Sequence, residues 1–228
     1  MNFITSQSPA FTPAAAAAPA IAPIIPRPGT GPALIAAASL ILAELECGRR
    51  IDTQALRAAM TSAFNGADAE GAWDWKTAYD ACEAAQVLFL RKFGPAMRAR
   101  AASPIAILAM LEKLAALLPS QTRRSQESQA LQQFSTPIAL GYVASVAAGV
   151  TPHDLVLEPS AGTGLLAILA ELAGGGLVLN ELAETRADLL AHLFPGTSVT
   201  RLSRLAPAAD EPASARRHEG SGAYSRAL

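Results

Sequence analysis

Residues 155–164, L-V-L-E-P-S-A-G-T-G, constrain the fold more than any other stretch of the chain. With Asp154, the first half reads as a short buried strand ending on the acid Glu158, and 165–173 is an aliphatic run at helical spacing. Between them, Gly162 and Gly164 let the backbone turn tightly and let a ligand approach the main chain with no Cβ in the way. Residues 177–180 make a second short apolar strand, 183–194 a second helix, and 198–200 the start of a third strand. Strand, helix, strand, helix, strand predicts a parallel α/β sheet. Thr136-Pro137 opens a helix to about Ala148 that leads into it.

Upstream the periodicity is helical. Leu34, Ala38, Ile41 and Leu45 fall on one stripe, with Gly48 as a stop. Asp52 is placed as an N-cap, with Ile51 before it and Leu56 at the fourth helical position, the pair of a hydrophobic staple. That helix runs through Met60 and Phe64 to Asn65-Gly66. Trp75, Tyr79, Cys82, Gln86, Phe89 and Phe93 then recur at spacings of three and four. Such a stripe can line a cofactor pocket or a base-stacking surface, but at helical spacing it reads as core. Ser103-Pro104 caps a last helix carrying Ile105, Leu108, Leu111, Ala115 and Leu118, ended by Pro119.

Four segments result: 1–32, an Ala/Pro-rich lead-in read as disordered; 33–119, a helical domain; 120–200, a partial Rossmann-like cofactor-binding domain; and 201–228, an irregular tail rich in Ala, Ser, Arg, Pro and Gly. The lead-in has no charge before Arg27, but prolines interrupt every apolar run and no basic n-region is present, so a secretory leader is not expected. The longest uncharged helical stretch, 137–152, falls short of the about 20 apolar residues of a membrane span. No membrane partner is expected.

Lys+Arg number 18 against Asp+Glu 19, a net charge of -1, which argues against a globally basic nucleic-acid glove. The local concentration Arg91, Lys92, Arg98, Arg100, Arg123 and Arg124 reads either as a phosphate-tracking patch or as solvated helix ends. Hydrophobic residues make up 51% but aromatics only 5%, so the apolar excess is alanine and the core is aliphatic. Cys47 and Cys82 are too few for a zinc site or a disulfide framework and read as reduced thiols of a cytoplasmic chain. His153, His192 and His218 fit neither metal-ligand nor triad spacing, so no metal ligand and no catalytic residue is assigned.

The glycine loop stands where a nucleotide or nucleoside cofactor loop stands, after a strand and before a helix whose first N–H groups lack partners. A G-x-G-x-x-G fingerprint has its third glycine where this chain has Ala167, and Glu158 at the strand end repels a pyrophosphate. A cationic or zwitterionic cofactor fits better. Glu181, at the tip of the next strand and 17 residues beyond Gly164, is placed to accept both ribose hydroxyls, with Asn180 beside it. Read without a ligand, Glu181 is a surface carboxylate at a strand end and Glu158 a partner of the helix dipole.

L-V-L-E-P-S-A-G-T-G, with N-E-L one strand later, resembles motifs I and II of the S-adenosylmethionine-dependent methyltransferases in the form seen in DNA adenine-N6 methylases. Q-Q-F-S-T-P, residues 132–137, resembles the segment that in those enzymes precedes the first strand and touches the methionine end of the cofactor. The stretch from about Leu34 to Pro195, including E-G-A-W-D-W-K-T-A-Y-D-A-C-E-A-A-Q, is similar to the amino-terminal region of the bacterial strawberry-notch-like proteins, where it precedes a superfamily 2 helicase-type ATPase. The resemblance implies a class I methyltransferase sheet and S-adenosylmethionine as cofactor. On the matched positions it implies Phe134 and Thr136 near the methionine moiety, and Glu158, Ser160, Ala161, Gly162 and Gly164 around the cofactor's centre. It puts Glu181 at the ribose and Leu182 against the adenine face. Through the full-length family it also implies a nucleic-acid partner.

That family holds its target amine with an Asn/Asp-Pro-Pro-aromatic motif at the end of the fourth strand. Here the asparagines are Asn2, Asn65 and Asn180, none before a proline, and neither Asp-Pro-Pro nor G-x-x-x-x-G-K-[ST] occurs. The expectation is a helical bundle followed by the amino-terminal part of a Rossmann-like methyltransferase sheet, truncated, that holds the cofactor without transferring its methyl group. The alternatives are a non-enzymatic helical interaction module with a relic cofactor fold, and an NAD-binding reductase, which Glu158 and the missing third glycine disfavour.

Overall fold

The computed structural model describes residues 29–121, 135–203 and 226–227. Phe134, Arg123 and Arg124 lie outside them. Helix α1 (Thr30–Glu46) buries Leu34, Ala38, Ile41 and Leu45, the stripe predicted for it. Helix α2 (Thr53–Phe64) starts on Asp52, whose Oδ1 accepts from the Ala55 N–H at 2.8 Å, with Ile51 and Leu56 both buried as the staple requires. Asn65 ends it in the left-handed region at φ 51°.

Helix α3 (Trp75–Arg100) opens on Asp74, whose Oδ1 accepts from the Thr77 N–H at 2.7 Å. It is the central helix, and it departs from the one-sided stripe expected of it. From Ala78 to Val87 every residue is buried, including Asp80, Glu83 and Gln86, because α1 lies along one side and the helices of the α/β region along the other. The most enclosed positions are small ones such as Ala81, Ala84 and Ala85, while Trp75, Phe89 and Phe93 are only half-buried. Helix α4 (Pro104–Ala116) is capped by Ser103 as predicted, but its inward face is rotated from the expected stripe. Leu111 and Leu114 are buried, with Ile107 and Leu118 packed beside them, whereas Ile105 is 76% exposed.

Helix α5 (Ile138–Ala148) leads into β1 (Leu155–Glu158), α6 (Leu165–Leu172), β2 (Gly176–Asn180), α7 (Glu184–Leu193) and β3 (Val199–Thr200). These match the predicted elements within a residue or so. β1 runs parallel to β2, with Leu155 opposite Gly176 and Glu158 opposite Leu179, and β2 runs parallel to β3. The tail, read as irregular, contributes a further strand, β4 (Arg226–Ala227), parallel to β1 with Val156 opposite Arg226. Two residues carry no readable alternation, but the open edge of β1 offers them unpaired donors and acceptors. The sheet order is β3-β2-β1-β4.

One buried cluster runs through both regions, from Leu34, Ile41 and Leu90 to Ile168, Leu179 and Leu189. Gly94 lets α3 close on α6, since a Cβ there would stand 2.6 Å from Leu172 Cδ1. Among the described residues no helix is long and apolar enough to cross a membrane, and no group of three or more His, Cys, Asp or Glu side chains could hold a metal ion.

Candidate functional site

The site is built where β1 gives way to α6. The turn is pinned at its middle, where the Ala161 N–H donates to the Asn180 carbonyl at 2.9 Å and the Gly164 N–H to the Ala161 carbonyl at 2.8 Å. Gly162 and Gly164 both take positive φ, 57° and 88°, a conformation costly for any residue with a Cβ. Their surroundings differ. A Cβ on Gly164 would come 2.5 Å from Phe194 Cε2, so that glycine serves packing. A Cβ on Gly162 would meet nothing nearer than Arg186 Nη1 at 3.9 Å, so that glycine leaves space open.

Two carboxylates flank this loop. Glu158, at the end of β1, is 4% exposed. Its Oε1 takes a long hydrogen bond, 3.4 Å, from the Ser160 N–H, and its Oε2 has no hydrogen-bond partner among the described residues. Burial pushes its carboxyl above the ordinary value, opposed only by the Ser160 amide. Glu181, buried at the end of β2, accepts from the Gly162 N–H through Oε2 and from the Ala183 N–H through Oε1, each at 2.8 Å. It is thus joined to the glycine loop instead of standing as a free surface acid. Asn180 acts as a clasp: its Nδ2 donates to the Pro159 and Leu202 carbonyls, and its Oδ1 accepts from the Thr200 hydroxyl and the Leu202 N–H.

Of the remaining expected residues, Ala161 is buried in the loop, Ser160 is exposed on it, and Leu182 lies just past Glu181 with 42% of its surface exposed. Thr136 is exposed immediately before α5, and Phe134 lies outside the described residues. Glu158, Ser160, Ala161, Gly162, Gly164, Glu181 and Leu182 therefore share the ends of β1 and β2.

The sequence reading missed a second layer supplied by α3. Glu83, 2% exposed, receives the Thr163 hydroxyl at 2.6 Å on one oxygen and Gln121 Nε2 at 2.5 Å on the other, and it also bonds the Ser135 side chain. Burial and the neighbouring Asp80 charge push its carboxyl up, against the Ser135 and Thr163 side chains and the Arg186 charge. Asp80, 1% exposed, accepts from Arg186 Nε at 3.1 Å and Nη2 at 2.8 Å, with Lys76 Nζ 3.3 Å from its other oxygen. Burial works against the Arg186 charge, but Asp80, Glu83 and Glu181 outweigh it and hold the guanidinium above its usual value. The available signal was a polar row at positions 76, 80 and 83, at helical spacing within an alanine-rich helix.

Of the basic concentration on α3, Arg91 is half-buried, whereas Lys92, Arg98 and Arg100 are exposed. Arg91 pairs with Glu171 through two hydrogen bonds, donates to the Leu193 carbonyl at 2.6 Å and lies over the Phe194 ring. Lys92 pairs with Glu46, and Arg98 donates to the Leu172 carbonyl. Arg91, Lys92 and Arg98 thus each tie α3 to a neighbouring helix from its surface. No family model, curated protein or solved structure matches the chain.

Proposed function

We propose that the chain binds S-adenosylmethionine at the glycine loop, as the amino-terminal part of a strawberry-notch-like methyltransferase of Rossmann-like fold. The observation that carries this reading is Glu158 Oε2, a deeply buried carboxylate oxygen with no donor among the described residues, at the rim of a loop that Gly162 keeps open. A buried acceptor without a partner is costly and calls for one. A ligand cation satisfies it; a pyrophosphate worsens it. The order β3-β2-β1-β4 supports the same place, because ligands of doubly wound sheets bind beyond the carboxyl ends of the strands where the order reverses, here between β1 and β4.

In this reading Glu158 faces the cofactor's positive charge and Glu181 uses the lone pairs left over from its two backbone donors to accept ribose hydroxyls. Leu182 offers its exposed apolar surface to the adenine. S-adenosylmethionine supplies an electrophilic methyl group on a sulfonium. An exocyclic amine is a weak nucleophile that must be held in line with that group, and the chain contains no Asn/Asp-Pro-Pro-aromatic motif to hold it. The expected result is binding without transfer: no radiolabelled methyl incorporation into DNA, RNA or protein above that of a Glu158→Ala, Gly162→Val control.

A second reading, a non-enzymatic interaction module, is favoured by the outward face of α5, where Leu140, Val143 and Val146 are 62%, 50% and 48% exposed. Calorimetric titration with S-adenosylmethionine and with NAD separates the readings. Saturable binding of the first, lost in Glu158→Ala, is expected; binding of NAD alone supports a reductase, and binding of neither leaves the interaction module.

A further inference from the structure

We infer that Glu83, in the middle of α3, is a positioning residue for the glycine loop, so that the helical region forms the back wall of the cofactor site. The loop's one enclosed hydroxyl, Thr163 at 3% exposure, is tied to no strand of the sheet but to a carboxyl 80 residues earlier in the chain. The same carboxyl takes Gln121, at the end of the described helical region, and Ser135, the residue before Thr136. One side chain therefore joins three chain segments, two of which are assigned to the cofactor. Asp80, one turn earlier on α3, holds Arg186, whose Nη1 is the nearest atom to the open side of Gly162. Glu83 thus backs the loop that follows β1, and Asp80 backs the first turn of α7 through Arg186. Removal of the Glu83 carboxyl leaves the buried Thr163 hydroxyl without its acceptor and frees the loop to leave the geometry that binds.

The consequence for affinity rests on the reading of the loop as a cofactor site; the claim on loop geometry does not. The test therefore has two readouts on the full chain. Hydrogen exchange in the absence of ligand is expected to show amides 161–164 of Glu83→Ala exchanging about tenfold faster than in the parent, with β2 and the second half of α6 unchanged. Thr163→Val, nearly isosteric and on the loop side of the bond, is expected to reproduce the pattern, which covers the case in which Glu83→Ala fails to fold. Glu83→Gln retains an acceptor for Thr163 and is expected to restore protection to within about threefold. Affinity for S-adenosylmethionine is expected to fall about tenfold in the first two variants and to recover in the third. Unchanged loop exchange in Thr163→Val, or acceleration spread evenly over β1, β2 and α6, overturns the inference. Absence of cofactor binding by the parent overturns the functional reading alone, and the exchange data still decide the role of Glu83.

Discussion

A buried carboxylate oxygen without a donor weakens the fold that contains it, and among the described residues Glu158 has one. Its carboxyl is raised by burial, so the folded chain retains a proton that the unfolded chain has released. The stabilising contribution is present at and below the ordinary carboxylate range and is lost as pH rises through the folded value. Glu158→Gln is therefore expected to melt higher at neutral pH and to show a flatter fall of stability as pH rises above the ordinary carboxylate range, with about 2–4 °C gained per kcal/mol relieved. Thermal melts from that range up to neutral pH check it; a lower melting point at pH 7 contradicts it. The two glycines separate in the same way. Gly164→Ala is expected to cost about 2–4 kcal/mol, from the left-handed backbone and the collision with Phe194 together. Gly162→Ala is expected to cost about 1–2 kcal/mol, from the backbone alone. Urea denaturation of the pair measures the difference, and equal costs would place both glycines in packing.

Among the elements, α3 shows how far local pattern reaches. The glycine turn, the Asp52 cap, the Asn65 stop and the strand–helix alternation were legible because each is decided within a few residues of chain. The surroundings of α3 were not, because a helix enclosed by neighbours on several sides is no longer two-faced, and its period then reports polar ties such as Asp80 and Glu83 as much as core. The face of α4 was misjudged for a related reason: Ile105 and Ile107 are equally apolar, and only the position of α5 selects between them. Measured truncations should follow the observed faces. Phe89→Ala, half-buried against Phe93, is expected to cost about 1–2 kcal/mol, and Leu111→Ala, fully enclosed, about 2–5 kcal/mol. A larger loss at Phe89 than at Leu111 would restore the aromatic stripe as core. The layer that Glu83 and Arg186 form at the site escaped sequence reasoning because Glu83 meets Thr163 across 80 residues and Arg186 meets Asp80 across 106.

For the whole molecule, the shared core makes the helical region and the sheet mutually dependent. α3 covers α6 and α1 covers α7, so a chain of residues 135–228 alone leaves Ile168, Leu189 and Leu190 without their cover. Such a chain is expected to show no cooperative thermal transition and to elute as an expanded species; a sharp transition near that of the full chain would establish an independent domain. The amino terminus of α1 illustrates the dependence in time as well as in space. Gly31 N–H donates to Asp188 on α7 at 2.8 Å, across 157 residues, and a Cβ at Gly31 would collide with that same carboxylate. At ribosomal speeds of about 5–20 residues per second, the surface of α1 that meets α7 therefore waits on the order of 8–30 s for that helix to be synthesised, while α2 and α3 can dock on the rest of α1 sooner. For that interval the nascent chain carries an apolar helix face on which a holdase chaperone can sit.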